Sequence, residues 1–196
     1  MPKAKPRCRN LRGLGRDGIN YLWCLRRIWV RERGRPPASG TTAQSRQNRK
    51  QVTIAIADAA IRKRLAERCV ADGLRFYTAK SLQHITMKDV VVGEGAIFSP
   101  FTVVTSNIRI GSHFHCNIGS YVEHDCVIGD YVTFAPSVKC NGNVHIGDGA
   151  YIGTGAILKQ GTPEKPLVIG AGATVGMGAV VTKDVAAGSV VVGNPA

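Results

Sequence analysis

His124 lies between Glu123 and Asp125 in the stretch "YVEHDCVIGD", residues 121 to 130 of a 196-residue chain otherwise rich in aliphatic, glycine and small polar residues. A neutral imidazole can take a proton from an attacking hydroxyl or amine, and an adjacent carboxylate fixes its tautomer and stabilises the imidazolium as it forms. The same trio also suits a solvated polar turn, and residue types alone leave both readings open. Cys126 could pair with His124 as a nucleophile, but Val127 and Ile128 follow it, so a packed small residue is expected there. A zinc site would draw on His113, His115, His124 and His145. These four do not share a repeat position, and no metal is expected.

The element that must position these residues is announced by a period of six. Counting from Val92, the row Phe98, Val104, Ile110, Cys116, Val122, Ile128, Phe134, Cys140, Ile146, Ile152 and Leu158 is apolar without a break, and it resumes after "KQGTPEKPLV" at Ile169, Val175 and Val181. The fifth position of each six is mostly small or aliphatic. Neither a helix at 3.6 nor a strand at 2 gives such a row. A triangular coil does, with three hexads forming one turn of about eighteen residues and coils stacking roughly 4.8 Å apart. The fold class expected is mainly β: a parallel β-helix over residues 89–196.

Stacking at eighteen residues puts Ser106 below His124 and Gly142 above it. A glycine there leaves space beside the imidazole. Asp125 falls between Asn107 and Asn143, and Glu123 between Thr105 and Asn141, while Val122 and Ile128 point to the core.

The net charge of +13 would suit a nucleic-acid partner, but residues 1–50 hold 14 Lys/Arg against Asp17 and Glu32, a net of +12, and the remainder balances 12 against 11. The body of the protein therefore has no field for phosphate backbones. Six scattered cysteines with no CxxC pair and no signal-peptide core imply reduced thiols and a cytoplasmic protein. No apolar run reaches the roughly 20 residues of a membrane span. Residues 1–50 are basic, contain Pro36-Pro37 and show little periodicity, so they read as poorly structured or divergent. From Gln51, "VTIAIA" reads as a strand and "DAAIRKRLAERCVADG" as a helix with a glycine stop, giving a small, partial α/β segment over 51–88.

The hexapeptide signature resembles that of the left-handed β-helix acyltransferases. Within it, "NIGSYVEHDCVIGDYVTFAPSVKCNGNVHIGDGAYIG" is similar to the central segment of the NeuD/PglD family, sugar acyltransferases that use acetyl-CoA in O-acetylation of sialic acid and N-acetylation of UDP-linked amino sugars. The resemblance covers residues 90 to 196 well and 52 to 90 loosely, and it implies handedness, activity and partners together. By it, His124 is the base and Asp125 the acidic residue behind it. Asn117 joins them in the active site, and Gly142 lines the acetyl-CoA groove with its backbone. Thr154 and Met177, in the "VGMGA" run, fall where later coils contact the co-substrate. Asp58 and Glu123 are the acceptor-side candidates. The family also implies a homotrimer with the co-substrate between subunits, direct transfer without an acyl-enzyme, and a sugar or nucleotide-sugar acceptor.

The chain departs from the family pattern in three places. A second histidine that some members carry nine residues after the base is Thr133 here. His115, one coil below Thr133, is placed to fill part of that gap. The family's Rossmann-like subdomain is matched only by its later strand and helix, "RGLGRDG" being a faint echo of the glycine-rich turn, and the chain stops at "VVGNPA", where incomplete contacts to the CoA phosphates are expected. The readings that compete with the sugar acetyltransferase are a scaffold that has lost catalysis, a serine-type acetyltransferase and a carbonic anhydrase-like metal enzyme.

Overall fold

The inward row is the core. In the computed structural model of the protein, residues 51–196 are described in full, preceded by the backbone of Lys50 and of strands β1 (Arg12–Leu14), β2 (Asn20–Cys24) and β3 (Ile28–Glu32). Every row member from Phe98 to Val181 is buried, and Val92 is half-buried. The small fifth positions, among them Ala96, Cys126, Val138 and Ala156, are buried as well, so each hexad sends two side chains inward. Short strands from Ala79–Lys80 to Val190–Val191 build three parallel sheets of six, five and seven strands. This is a parallel β-helix of the left-handed hexapeptide type.

Its register is the one the period demands. Val104 pairs with Val122, Val122 with Cys140 and Cys140 with Leu158, each step being eighteen residues. Between Leu158 and Val181, and between Val144 and Leu167, the step grows to twenty-three. The five surplus residues loop out around Lys159–Pro166, and the row then continues.

The coils turn at residues with left-handed backbone. One corner column consists of Asp89, Asn107, Asp125 and Asn143, with φ between 55° and 59°. Asp and Asn tolerate this region because their short side chains hydrogen-bond locally. A second corner places His113 and Tyr131 at φ 58°, where bulky residues are rare. Their rings stack at 5.0 Å, and Phe76 meets His113 edge-on at 4.5 Å. Contact with the preceding segment thus offsets the backbone cost.

That segment joins β4 (Lys50–Ile54), α1 (Ala59–Ala71) and β5 (Arg75–Phe76), with β4 and β5 parallel. In the sheet order β1-β2-β3-β4-β5, the pairings from β1 to β4 are antiparallel. Three stretches of the region expected to be poorly structured are therefore strands. Cys8, residues 15–18 of "RGLGRDG" and the basic run 33–49 lie outside the described residues. The β-helix starts before the apolar row does: Ala79–Lys80 pairs with Ile97–Phe98, and Ile85–Thr86 with Val103–Val104. The first coil puts Lys80 and Thr86 in the row's register, so the period is invisible there. Phe98 is covered by the stacked ring of His84 at 4.3 Å and by the Lys80 ammonium at 5.4 Å.

α1 buries Arg62, Ala66 and Cys69, a helical stripe facing the coils. Arg62 is wholly buried. Its guanidinium donates to the carbonyls of Ile56 (2.5 Å) and Ala57 (3.0 Å) on its own segment, and to Tyr131 O (2.5 Å) and Thr133 Oγ1 (3.0 Å) on the coils. His115 adds a ring nitrogen to Ile54 O at 2.9 Å. Burial first, and Arg62 second, push His113 down from 6.5 to about 4 and His115 to about 3. With the segment undocked, these rings would take up protons nearer pH 6.5, so docking weakens as the pH falls from there towards 4 and 3, where the docked rings also protonate. Amide exchange, corrected for intrinsic rates, should show β4 and α1 losing protection between pH 7 and pH 5 while Val122, Ile128 and Ile152 keep theirs. Uniform protection across both parts would contradict this coupling.

Candidate active site

His124 follows the strand Tyr121–Val122 and precedes the left-handed corner at Asp125. The corner turns the next side chain back towards the ring, and Asp125 Oδ2 lies 2.7 Å from His124 Nδ1. The other carboxylate oxygen accepts from Asn107 Nδ2 at 2.5 Å, one coil below. These two hydrogen bonds, the histidine's first, hold the Asp125 carboxyl below its usual range. An ionised carboxylate can only accept, so the neutral imidazole carries its hydrogen on Nδ1 and leaves Nε2 with a lone pair. Nε2 makes no hydrogen bond among the described residues. The His124 side chain is 57% exposed, open enough to meet a ligand.

Gly142 sits directly over the ring. A Cβ there would stand 2.6 Å from Cε1 and 2.8 Å from Nε2 of His124. The glycine is thus what lets the imidazole pack this closely against the coil above it. Its own N–H has no hydrogen-bond partner among the described residues, while its carbonyl accepts from Gly161 N at 3.0 Å. The lone pair of His124 Nε2 and the unpartnered amide of Gly142 thus belong to neighbouring residues of one column.

The structure therefore brings together His124, Asp125 and Gly142, and adds Asn107. Asn107 was readable as the residue stacked under Asp125, although nothing in its type marked it for the site. Glu123 is half-buried one residue away, and its carboxylate has no hydrogen-bond partner among the described residues. Asn117, Thr154 and Met177 lie at a different corner of the coil. Asn117 donates its amide to Phe134 O at 2.5 Å. Thr154 and Met177 share one column, since Ile152 pairs with Val175, and both are exposed. Thr133 is buried at the α/β contact, its hydroxyl donating to Ala57 O at 3.0 Å and accepting from Arg62. His115 is indeed one coil below Thr133, with its ring turned to Ile54 O. Asp58 caps α1, accepting from Ile61 N at 2.8 Å. Cys126 is buried at the small corner position.

The chain is 54% identical over 148 residues to GDP-perosamine N-acetyltransferase of Escherichia coli O157:H7, covering 76% of this chain and 67% of that protein. The chain belongs to the hexapeptide-repeat sugar acetyltransferases. WeeI from Acinetobacter baumannii AYE is likewise 54% identical, with a TM-score of 0.74 over 81% of this chain and 80% of its own. The acetyltransferase domain of PglB from Neisseria gonorrhoeae FA1090, solved in complex with acetyl coenzyme A, is 28% identical with a TM-score of 0.68 over 73% of this chain and 67% of its own. No family model matches the chain. Membership makes the protein an acetyl-CoA-dependent acyltransferase that modifies sugars, with acetyl-CoA as co-substrate. Among the described residues, no helix is long and apolar enough to cross a membrane.

A Gly142→Ala substitution tests the geometry. The added methyl cannot coexist with the ring where it is, and moving a reacting group by about 1 Å costs on the order of a hundredfold in rate. Acetyl transfer should fall by about that factor with the melting temperature nearly unchanged; a variant of normal turnover would show that the placement of the ring against Gly142 does not matter.

Proposed function

We propose that the protein transfers the acetyl group of acetyl-CoA to the amine of a nucleotide-linked amino sugar, with His124 as general base. The observation that supports this is the bare Nε2 of His124, held in one tautomer by Asp125 on a side chain that is 57% exposed. The co-substrate supplies an activated acyl carbon as its thioester. His124 Nε2 takes the proton as the amine nitrogen bonds to that carbon, and the imidazolium returns it to the departing thiolate sulfur as the carbon–sulfur bond breaks. Asp125 stabilises the imidazolium, and Asn107 stabilises Asp125. The unpartnered N–H of Gly142 is the donor for charge that develops on the acyl oxygen. Transfer is direct, with no acyl-enzyme.

The name of the Escherichia coli relative favours a GDP-linked acceptor and nitrogen over oxygen. The acceptor is met by the free carboxylate of Glu123 and by the segment 51–88, whose turn before α1 carries Asp58. Asn117, Thr154 and Met177 are on another edge of the coil, so they can act with His124 only if a neighbouring subunit presents that edge. We therefore propose a homotrimer, with acetyl-CoA lying between the His124 edge of one subunit and the Thr154 edge of the next. The described cysteines are all free thiols, which together with a nucleotide-sugar acceptor favours the cytoplasm.

CoA release measured with GDP-perosamine, UDP-linked 4-amino sugars, CMP-sialic acid, free sialic acid and serine tests this reading. Turnover is expected with an amino sugar, and His124→Ala should reduce it about 10²- to 10⁴-fold, the range of general acid–base contributions. Turnover confined to sialic acid would move the reaction to oxygen, and a fully active His124→Ala variant would remove the base.

A further inference from the structure

The groups that flank the unpartnered Gly142 N–H are all engaged. Asn143 N donates to His124 O at 3.0 Å, and Gly142 O accepts from Gly161 N at the same distance. On the other side, the Asn141 side chain accepts from the Tyr121 hydroxyl at 3.0 Å and donates to Leu158 O at 2.8 Å. The carbonyl of Asn141 is met by thiols: Cys126 Sγ donates to it at 3.3 Å, and Cys140 Sγ lies 3.9 Å away.

Cys126 does more here than fill a small corner position. Its sulfur accepts from Val144 N while its hydrogen goes to Asn141 O, so one side chain joins the two ends of the turn 141–144. The same sulfur is 3.6 Å from His124 O, the carbonyl to which Asn143 N also donates. Backbone next to the base and backbone of the turn above it therefore meet at a single atom.

A trans peptide is planar, with its C=O and N–H pointing in opposite directions. Cys126 and Cys140 are 1% and 0% exposed, so a carbonyl directed at them is directed at the interior. The N–H across that peptide bond, which is that of Gly142, is directed outward on the edge that carries His124. Glycine gives little resistance to rotation of the peptide before it, and the direction has to be held by something else. We infer that Cys126 is a positioning residue for acetyl transfer: its thiol pins Asn141 O inside the coil and thereby aims the Gly142 N–H at the acyl oxygen. This rests on the proposed reaction at His124 and adds a residue that acts only through the backbone.

Three variants separate aim from packing. Cys126→Val removes the donor and keeps an apolar side chain of the kind found at the same hexad position in Val132, Val138 and Val144. Cys126→Ser keeps a donor, and Cys116→Ala removes a buried sulfur elsewhere in the interior. Losing an oxyanion-hole donor costs about 10²- to 10³-fold in kcat, and misdirecting one should cost about 10- to 100-fold. The full chain, assayed with whichever of GDP-perosamine and the UDP-linked 4-amino sugars it turns over, should lose that factor in Cys126→Val. Its KM for acetyl-CoA should stay within about twofold, because the donor acts most strongly in the transition state. Cys126→Ser should recover most of kcat, and Cys116→Ala should retain it. The Gly142 amide resonance in a proton–nitrogen-15 spectrum should move in Cys126→Val and stay near its place in Cys126→Ser. If Cys126→Val does not fold, Cys126→Ala carries the same comparison. A loss that Cys126→Ser fails to recover, or that Cys116→Ala shares, would reduce Cys126 to packing and overturn the inference. Normal kcat in the donorless variants beside an inactive His124→Ala would overturn it and leave the base standing. An unsubstituted protein that acetylates no amino sugar would overturn the proposed reaction as well.

Discussion

The backbone hydrogen bonds between successive coils fix everything else. Amides bond to carbonyls of the neighbouring coil along all three sheets, as Gly111 N does to Ile128 O and Gly129 N to Ile146 O, both at 2.8 Å. Because the step is eighteen residues, side chains far apart in sequence form columns, and a column is a rigid frame at about 4.8 Å spacing. The Asn107, Asp125 and His124 relay is a product of that frame. So is the close packing of His124 beneath Gly142, which is possible only because a residue without a side chain falls eighteen positions after the histidine. A slip of one residue would carry Val122 and Ile128 out of the core and put Tyr121 or Glu123 in place of Val122, so the buried apolar row enforces the site geometry.

The corners divide the work. The edge with Asp125 carries the groups proposed to react. The corner with His113 and Tyr131 is occupied by the α/β segment, through a buried arginine that bonds to carbonyls on both sides. Burial and the neighbouring guanidinium keep the two histidines neutral, which makes this joint sensitive to acid while the aliphatic interior of the coils is not. The third edge, with Thr154 and Met177, is exposed. Such an arrangement gives one chain two partial surfaces, and the proposed trimer would bring them together.

How much could be read from sequence follows from this symmetry. A period of six that runs through Phe98, Val122 and Ile152 states the fold and the stacking partners outright, so Gly142 over His124 and Asn107 under Asp125 were both legible. The first coil was not, because Lys80 and Thr86 stand where the row should continue and cover Phe98 by other means. Arg62 was illegible for a different reason. In sequence it is one arginine in a basic helix, and only the docking of α1 against Tyr131 and Thr133 reveals its carbonyl cage. Thr133 likewise looked like a gap in a co-substrate site and is instead a hydrogen-bonding post for that docking.

The central claim is that Asp125, braced by Asn107, holds the neutral His124 ring with hydrogen on Nδ1 and leaves Nε2 free as the base. Nitrogen-15 chemical shifts of the His124 ring, recorded on the neutral imidazole, read this directly. The account predicts a protonated Nδ1 and a bare Nε2, with that preference lost in Asp125→Ala. A ring protonated on Nε2, or one whose tautomer is indifferent to Asp125, would contradict it.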